Sequence, residues 1–203
     1  MNDAPFISLD GALVRLRTLA QADVAPLTDI ALAHVHEYRL TSTPATSEQA
    51  DAYFARAFAD MATGDAVVVT VLDARSGALL GSSRLTEIDT RHRRCELGYT
   101  WYRPDVFNSG VNVECKRLLL GHAFDTLGLV RVQIHTDTRN LRSQRAIRAL
   151  GARYEGVLRR HMIAKDGYVR DSMVFAITDE DWPRVRRALA ERLSRRLQGD
   201  RVG

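Results

Sequence analysis

Between residues 66 and 102 the chain carries three strand-like stretches separated only by turn signals, and this constrains its fold more than anything else in it. Residues 66–73 begin "AVVVTVL", rich in β-branched side chains; "ARSG" supplies a turn, residues 78–88 follow, "DTRHR" supplies a second turn, and residues 94–102 complete the set. Links this short join only antiparallel neighbours, because a parallel crossover needs a dozen or more residues. The stretch therefore predicts an antiparallel meander. The period then changes, with Val111, Cys115, Leu118, Leu119, His122, Ala123 and Leu127 recurring at helical spacing and Gly128 placed to end the run. A sheet followed at once by an amphipathic helix buries its apolar face under that helix, which predicts a mixed α+β layer architecture.

The flanking segments extend the pattern. Residues 12–19, "ALVRLRTL", alternate apolar and basic side chains as a half-buried strand does; 20–33 read as a helix and 36–46 as a loop. Thr46 and Gln49 form a capping box for a helix running to about residue 61, where "TGD" at 63–65 stops it. Downstream, 129–136 is a strand, and 140–151 is a short helix with Asn140 as N-cap and Gly151 at its end. Strands over 153–163 and 169–177 flank "KDG", whose Asp-Gly pair is a hairpin signal. Thr178 and Asp181 cap a last helix, about 179–196, with Val185, Leu189 and Leu193 on one face.

No linker, repeat or low-complexity tract interrupts the 203 residues, so one domain over 1–203 is expected, with the last helix included. The longest apolar run, residues 66–72, is too short to span a bilayer, and "MNDAPFISLD" lacks the basic start and greasy core of a secretory signal, so a cytoplasmic protein is expected. Cys95 and Cys115 lack metal-ligand spacing and are read as small buried residues; among six histidines only His34 and His36 are near neighbours, so no metal site is expected. The net charge of +4 is concentrated in "RVRRALAERLSRRL", read as a solvated helix face rather than a contact for ribosome or RNA.

In "VFNSGVNVECKRLLLGHAF", residues 106–124, a glycine-bearing turn opens a helix, and a helix start offers unpaired N–H groups with the positive end of the dipole. Together with "ELGYTW", "N..S..AI..LGA", "EGVLRRHM", "DGYVRDS" and "DEDWPRV", it resembles the GNAT superfamily of acetyl-coenzyme A dependent N-acetyltransferases, essentially end to end. The resemblance is closest to the branch of ribosomal-protein N-terminal acetyltransferases (RimJ/RimL type). It implies a GNAT fold: a twisted, mostly antiparallel sheet of about seven strands flanked by helices, with strands splayed at the acetyl-CoA cleft. The family loop usually reads Gln/Arg-x-x-Gly-x-Gly/Ala, and the matching positions are Phe107, Gly110 and Asn112, so only the central glycine is retained. The binding groups are backbone amides and the glycine requirement is conformational, so about five or six N–H groups from Phe107 to Asn112 are still expected to converge on the diphosphate, with Asn112 capping the helix.

What the resemblance implies for acetyl-CoA is contact with Trp101, Tyr102, Arg103, Phe107, Asn108, Ser109, Gly110, Val111, Asn112, Asn140 and Ser143. The backbone of 101–103 serves the thioester arm, and Arg103 or Lys116 replaces the charge missing at Phe107. The family reaction, direct attack of an amine on the thioester, needs a base, oxyanion donors and an acid. Ile147 stands where many members place a tyrosine acid, and Ser143 is the substitute used in the ribosomal-type branch. Glu96 is the preferred base: alternation puts it on one face with Gly98, Thr100 and Tyr102 if Leu97 and Tyr99 face the core. Glu87 and Glu37 are the alternatives, and Met162 stands where some ribosomal-type enzymes carry a glutamate. Neutralising an α-amine at pH 7 costs roughly 1 kcal/mol and a lysine side chain roughly 4.6, so a single carboxylate suits an α-amine better. His36, Glu37, Tyr38 and His161 are expected to line the acceptor site. The expected function is acetyl transfer to a primary amine, a protein N-terminus first. The alternatives are a small amine such as an antibiotic, polyamine or amino acid, or a non-catalytic coenzyme A binding or regulatory module. Such domains also pair, so a homodimer is compatible.

Overall fold

The structure, a computed structural model, describes residues 6–199. Among them an eight-stranded sheet runs in the order β1-β2-β3-β4-β5-β6-β8-β7. The meander is present as β3 (Val67–Asp73), β4 (Leu79–Asp89) and β5 (Arg94–Tyr102). It extends outward through β2 (Val14–Thr18) to β1 (Ser8–Asp10), a three-residue strand too short to show alternation, which is why the sheet has eight strands and not about seven. On the other side β6 (Arg131–Asp137) joins β5 in parallel, and β8 (Val169–Thr178) and β7 (Arg153–Ile163) complete the sheet as the hairpin that "KDG" signals.

Five helices cover the two faces: α1 (Val24–Ala33), α2 (Ser47–Thr63), α3 (Val111–Gly121), α4 (Leu141–Ala149) and α5 (Trp182–Gly199). In α2 the Thr46 hydroxyl accepts the Gln49 N–H at 3.2 Å, while Gln49 Oε1 accepts from Ala45 N at 2.9 Å, one residue before the donor a capping box uses. Gly64, at φ 82°, ends the helix. Val69, Val71, Leu85 and Leu97 pack on one face with Cys115 and Leu119 of α3, Ile147 of α4, and Val185 and Leu189 of α5. Leu27 and Ala31 of α1 join Phe54, Ala57 and Met61 of α2 on the other, with Val68 and Trp101 of the sheet.

The placement of α3 is fixed by a buried carboxylate. Glu114, 2% exposed, accepts the N–H groups of Ala12, Leu13 and Val14 at 3.0, 2.6 and 2.9 Å, tying the helix start to the β1–β2 turn. Gly11 is required there, since a Cβ would lie 2.4 Å from Glu114 Cδ.

Candidate active site

The site begins with a fault in strand pairing. Arg84 faces Gly98 and Ser82 faces Trp101, so Tyr99 and Thr100 stand opposite Ser83 alone, a β-bulge with Tyr99 at φ 51°. An extra residue reverses the alternation of side chains. Upstream, Cys95 and Leu97 face the α3 core and Glu96 the other side; downstream, Tyr102 joins the α3 core and Trp101 the α1–α2 core. The expected common face of Glu96, Gly98, Thr100 and Tyr102 is therefore corrected: Thr100 hydrogen-bonds Lys116 of α3, on the side opposite Glu96. Leu97 is buried as expected, but Tyr99 is not in the core: it is 37% exposed and its ring borders Tyr53 and the Arg84 guanidinium.

Beside the bulge the sheet opens. The β5–β6 ladder stops at Glu96–Gln133, while β6 stays paired with β8 as far as Asp137. The gap is a cavity of about 1110 Å³ reached by Glu96, Tyr102, Phe107, Asn108, Gly110, Asn112, Asn140 and Ser143. The Arg103 N–H is not free for a thioester, because it donates to the Leu80 carbonyl at 2.8 Å. Its side chain pairs with Asp105 at 2.5 Å and does not line the cavity. Strand alternation turns the Tyr102 peptide to the opened edge, where its carbonyl accepts from Tyr38 Oη at 2.7 Å. Burial, helped by the Glu37 charge, pushes the Tyr38 phenol up to about 12, so it remains a donor. Trp101 lies against the α1–α2 core, its Nε1 donating to Tyr53 Oη at 3.2 Å.

The turn before α3 provides fewer free amides than expected. Phe107 N and Ser109 N donate to the carbonyls of Pro104 and Val106. Asn108 N, Gly110 N, Asn112 N and Val113 N have no acceptor among the described residues. Asn108 at φ 60° and Gly110 at φ 101° fold them into a concavity of the kind that holds anions. Gly110 is itself the N-cap, without a side-chain bond, and Asn112 sits in the first turn and does not cap. Gly110 at φ 101° holds a left-handed backbone that favours glycine, and a Cβ there would also meet Leu13 Cδ1 at 2.9 Å and Arg196 Cδ at 3.0 Å. Phe107 packs under the Arg142 guanidinium, 4.6 Å from its ring centroid. Lys116 does not replace the missing charge at the loop: it is buried beneath the bulge, bonded to Thr100 and Ser83, and burial draws its ammonium down to about 8.

On the facing side, Asn140 Oδ1 caps α4 by accepting Ser143 N at 3.0 Å, leaving its amide NH₂ toward the cavity. Glu96 Oε2 lies 2.9 Å from Nδ1 of His135, their side chains 15% and 10% exposed. This sets the imidazole beside the carboxylate, both of them lining the cavity. His161 packs edge-on to His135 at 5.3 Å and bonds Ser172 Oγ through Nδ1 at 3.0 Å. Burial, then the neighbouring His135 and Arg170, lower its basicity. His135 was missed by sequence reasoning, although alternation in "VQIHT" sets it on the face opposite Val132 and Ile134, and the parallel ladder brings it beside Glu96. Tyr38, His161, Glu87 and Met162 line the cavity; His36 and Glu37 do not, but border a separate shallow hollow, where Glu37 pairs with Arg142 at 3.0 Å. Among the described residues no group of three or more His, Cys, Asp or Glu is placed to hold a metal ion, and no helix is long and apolar enough to cross a membrane.

A bulged strand, a splayed parallel pair and an amide-lined turn thus open into one cleft. Residues 14–153 match the acetyltransferase (GNAT) domain family, and the chain belongs to it. It is 31% identical over 99 residues to the uncharacterized N-acetyltransferase YoaA of Bacillus subtilis (strain 168), an alignment covering 49% of this chain and 55% of that relative. The chain thus spans about half the length of this curated relative. A GCN5-related N-acetyltransferase from Brucella melitensis superposes with a TM-score of 0.81 at 26% identity, covering 94% of this chain and 89% of that one. RimJ of Mycobacterium smegmatis, solved with CoA-disulfide, shares the fold with a TM-score of 0.77 at 22% identity, covering 92% of each chain.

Proposed function

We propose that the chain transfers the acetyl group of acetyl-CoA to a primary amine by direct attack, with a peptide α-amine as acceptor. The observation that carries this reading is that the amide concavity at 108–113 and the Glu96–His135 pair open onto the same cavity from opposite ends of the splay. The concavity and the helix dipole receive the diphosphate, and the Tyr102 edge and Asn140 amide take the carrier's arm. His135 Nε2 accepts the proton of the incoming ammonium, and the Glu96 carboxylate steadies the imidazolium that results. The amine nitrogen bonds the thioester carbon, the carbon–sulfur bond breaks as the nitrogen's second proton passes to the departing sulfur by way of the Ser143 hydroxyl, and the first proton leaves His135 for solvent. The choice of a peptide α-amine is supported by the low cost of neutralising it and by the RimJ/RimL-like phrases along the chain.

Isothermal calorimetry with acetyl-CoA and a free-thiol release assay test the reading. The acceptors are peptides with free N-termini, N-blocked lysine peptides, polyamines and amino acids. Binding followed by thiol release with the free-N-terminus peptides is expected. Preference for a polyamine or amino acid would overturn the acceptor and keep the chemistry; binding without turnover on any amine would leave a coenzyme A binding module.

A further inference from the structure

The loop that should hold the diphosphate has lost its polar side chain at Phe107, and four backbone amides with a helix dipole present only about half an elementary charge. A nucleotide carrier with a diphosphate and a ribose phosphate brings about three to four negative charges at neutral pH. The positive charge that matches it lies elsewhere in the structure. Arg145 of α4 and Arg192 and Arg196 of α5 line the cavity at the loop end.

Arg192 and Arg196 are one turn apart on α5 and stand seven residues beyond Val185 and Leu189, so they continue the stripe that these buried side chains dock on the core, and that face runs on to the loop. The Arg196 stem is close enough to Gly110 that a Cβ there would touch it. Arg192 Nη1 donates to the Ala149 carbonyl at the end of α4, and Arg145 Nε to Leu141 O, which orients both guanidinium forks and leaves further donors on each. Of the other arginines of these helices, Arg148, Arg187 and Arg195 lie outside the cavity lining, and Arg142, Arg184 and Arg186 are engaged by the carboxylates of Glu37, Asp181 and Asp125. Arg145, Arg192 and Arg196 have no such partner among the described residues.

We infer that α5 is part of the carrier site, with Arg192 and Arg196, supported by Arg145, gripping the nucleotide phosphates of the acyl carrier and selecting it over a carrier lacking the nucleotide. This rests on the proposed function and assigns to the last helix a role its sequence, read as a solvated face, did not suggest.

The test compares the wild-type chain with Arg192→Gln/Arg196→Gln and Arg192→Lys/Arg196→Lys, using acetyl-CoA and acetyl-pantetheine, which has the thioester arm but no nucleotide. The glutamine pair is expected to weaken acetyl-CoA binding about 10- to 100-fold, as loss of charge-assisted bonds does, with kcat at saturation within about twofold. The preference in kcat/KM for acetyl-CoA over acetyl-pantetheine should shrink by the same factor, the salt dependence of binding should flatten, and the lysine pair should recover much of the affinity. An acetyl-CoA affinity within about twofold of wild type in the glutamine pair overturns the inference. So does a parallel fall with both carriers, which would mean that α5 acts through folding. Absence of heat from the wild-type chain with acetyl-CoA would instead sink the underlying reading, and this inference with it.

Discussion

Two ionisable groups beside the bulge, one buried and one facing the cleft, have opposite significance. Lys116 is enclosed with two hydroxyl partners and burial has drawn it to about 8, below the value near 10.4 expected for an unfolded lysine. The folded chain therefore binds fewer protons than the unfolded one between about pH 8 and 10.4, and stability rises with pH across that window. Below pH 8 the cost of keeping the ammonium dry is fully present, on the order of 3 kcal/mol. Lys116→Met is accordingly expected to be more stable than wild type at pH 7 by up to about that amount, the gap narrowing toward pH 10 in urea unfolding curves. Glu96 is half of a close carboxylate–imidazole pair facing the cleft. Replacing it with Gln keeps the shape and removes the charge that steadies a protonated His135. The expected result is a fall in kcat of about 100-fold with the affinity for acetyl-CoA retained, partly recovered at higher pH where more of the amine is neutral in solution. Steady-state kinetics combined with calorimetry check it.

Among the elements, α3 is held by one side chain more than by its surface. The Glu114 carboxylate accepts three amides of the β1–β2 turn, and Ala in its place would strand those buried donors. Glu114→Ala is expected to lose about 3 to 5 kcal/mol in chemical denaturation, and Glu114→Gln less, since one acceptor oxygen remains. Nothing in the local pattern announces this tie, because residues 12–14 and 114 are joined only by the tertiary fold. The same distinction separates what could be read in the chain from what could not. Helix ends at Gly64, Asn140 and Gly151, the meander and the terminal hairpin follow from local turn and cap chemistry, and they are found within a residue or two. The bulge at Tyr99–Thr100 carries no glycine, and without it strict alternation assigns Glu96, Thr100 and Tyr102 to one face. That single inserted residue misplaced part of the site, while the cleft position of Glu96 was legible because it precedes the bulge. His135 required knowing that β5 and β6 pair in parallel, and the arginines of α5 required knowing where a distant helix docks.

At the scale of the whole molecule, the sheet separates two cores, and Phe107, in the turn before α3, packs partly against both. The loop that should hold the carrier is thus continuous with each layer, so binding there should stabilise both layers together. An eight-stranded sheet shared by the two cores leaves neither a face of its own on which to fold separately. We therefore expect a single calorimetric transition whose van't Hoff and calorimetric enthalpies agree. Acetyl-CoA at about one hundred times its dissociation constant should add roughly 2.7 kcal/mol to the folded state, moving the midpoint upward by about 5 to 11 °C for a chain of this size. Two resolved transitions, only one of them shifted by acetyl-CoA, would mean that the layers melt independently and that the Phe107 junction does not couple them.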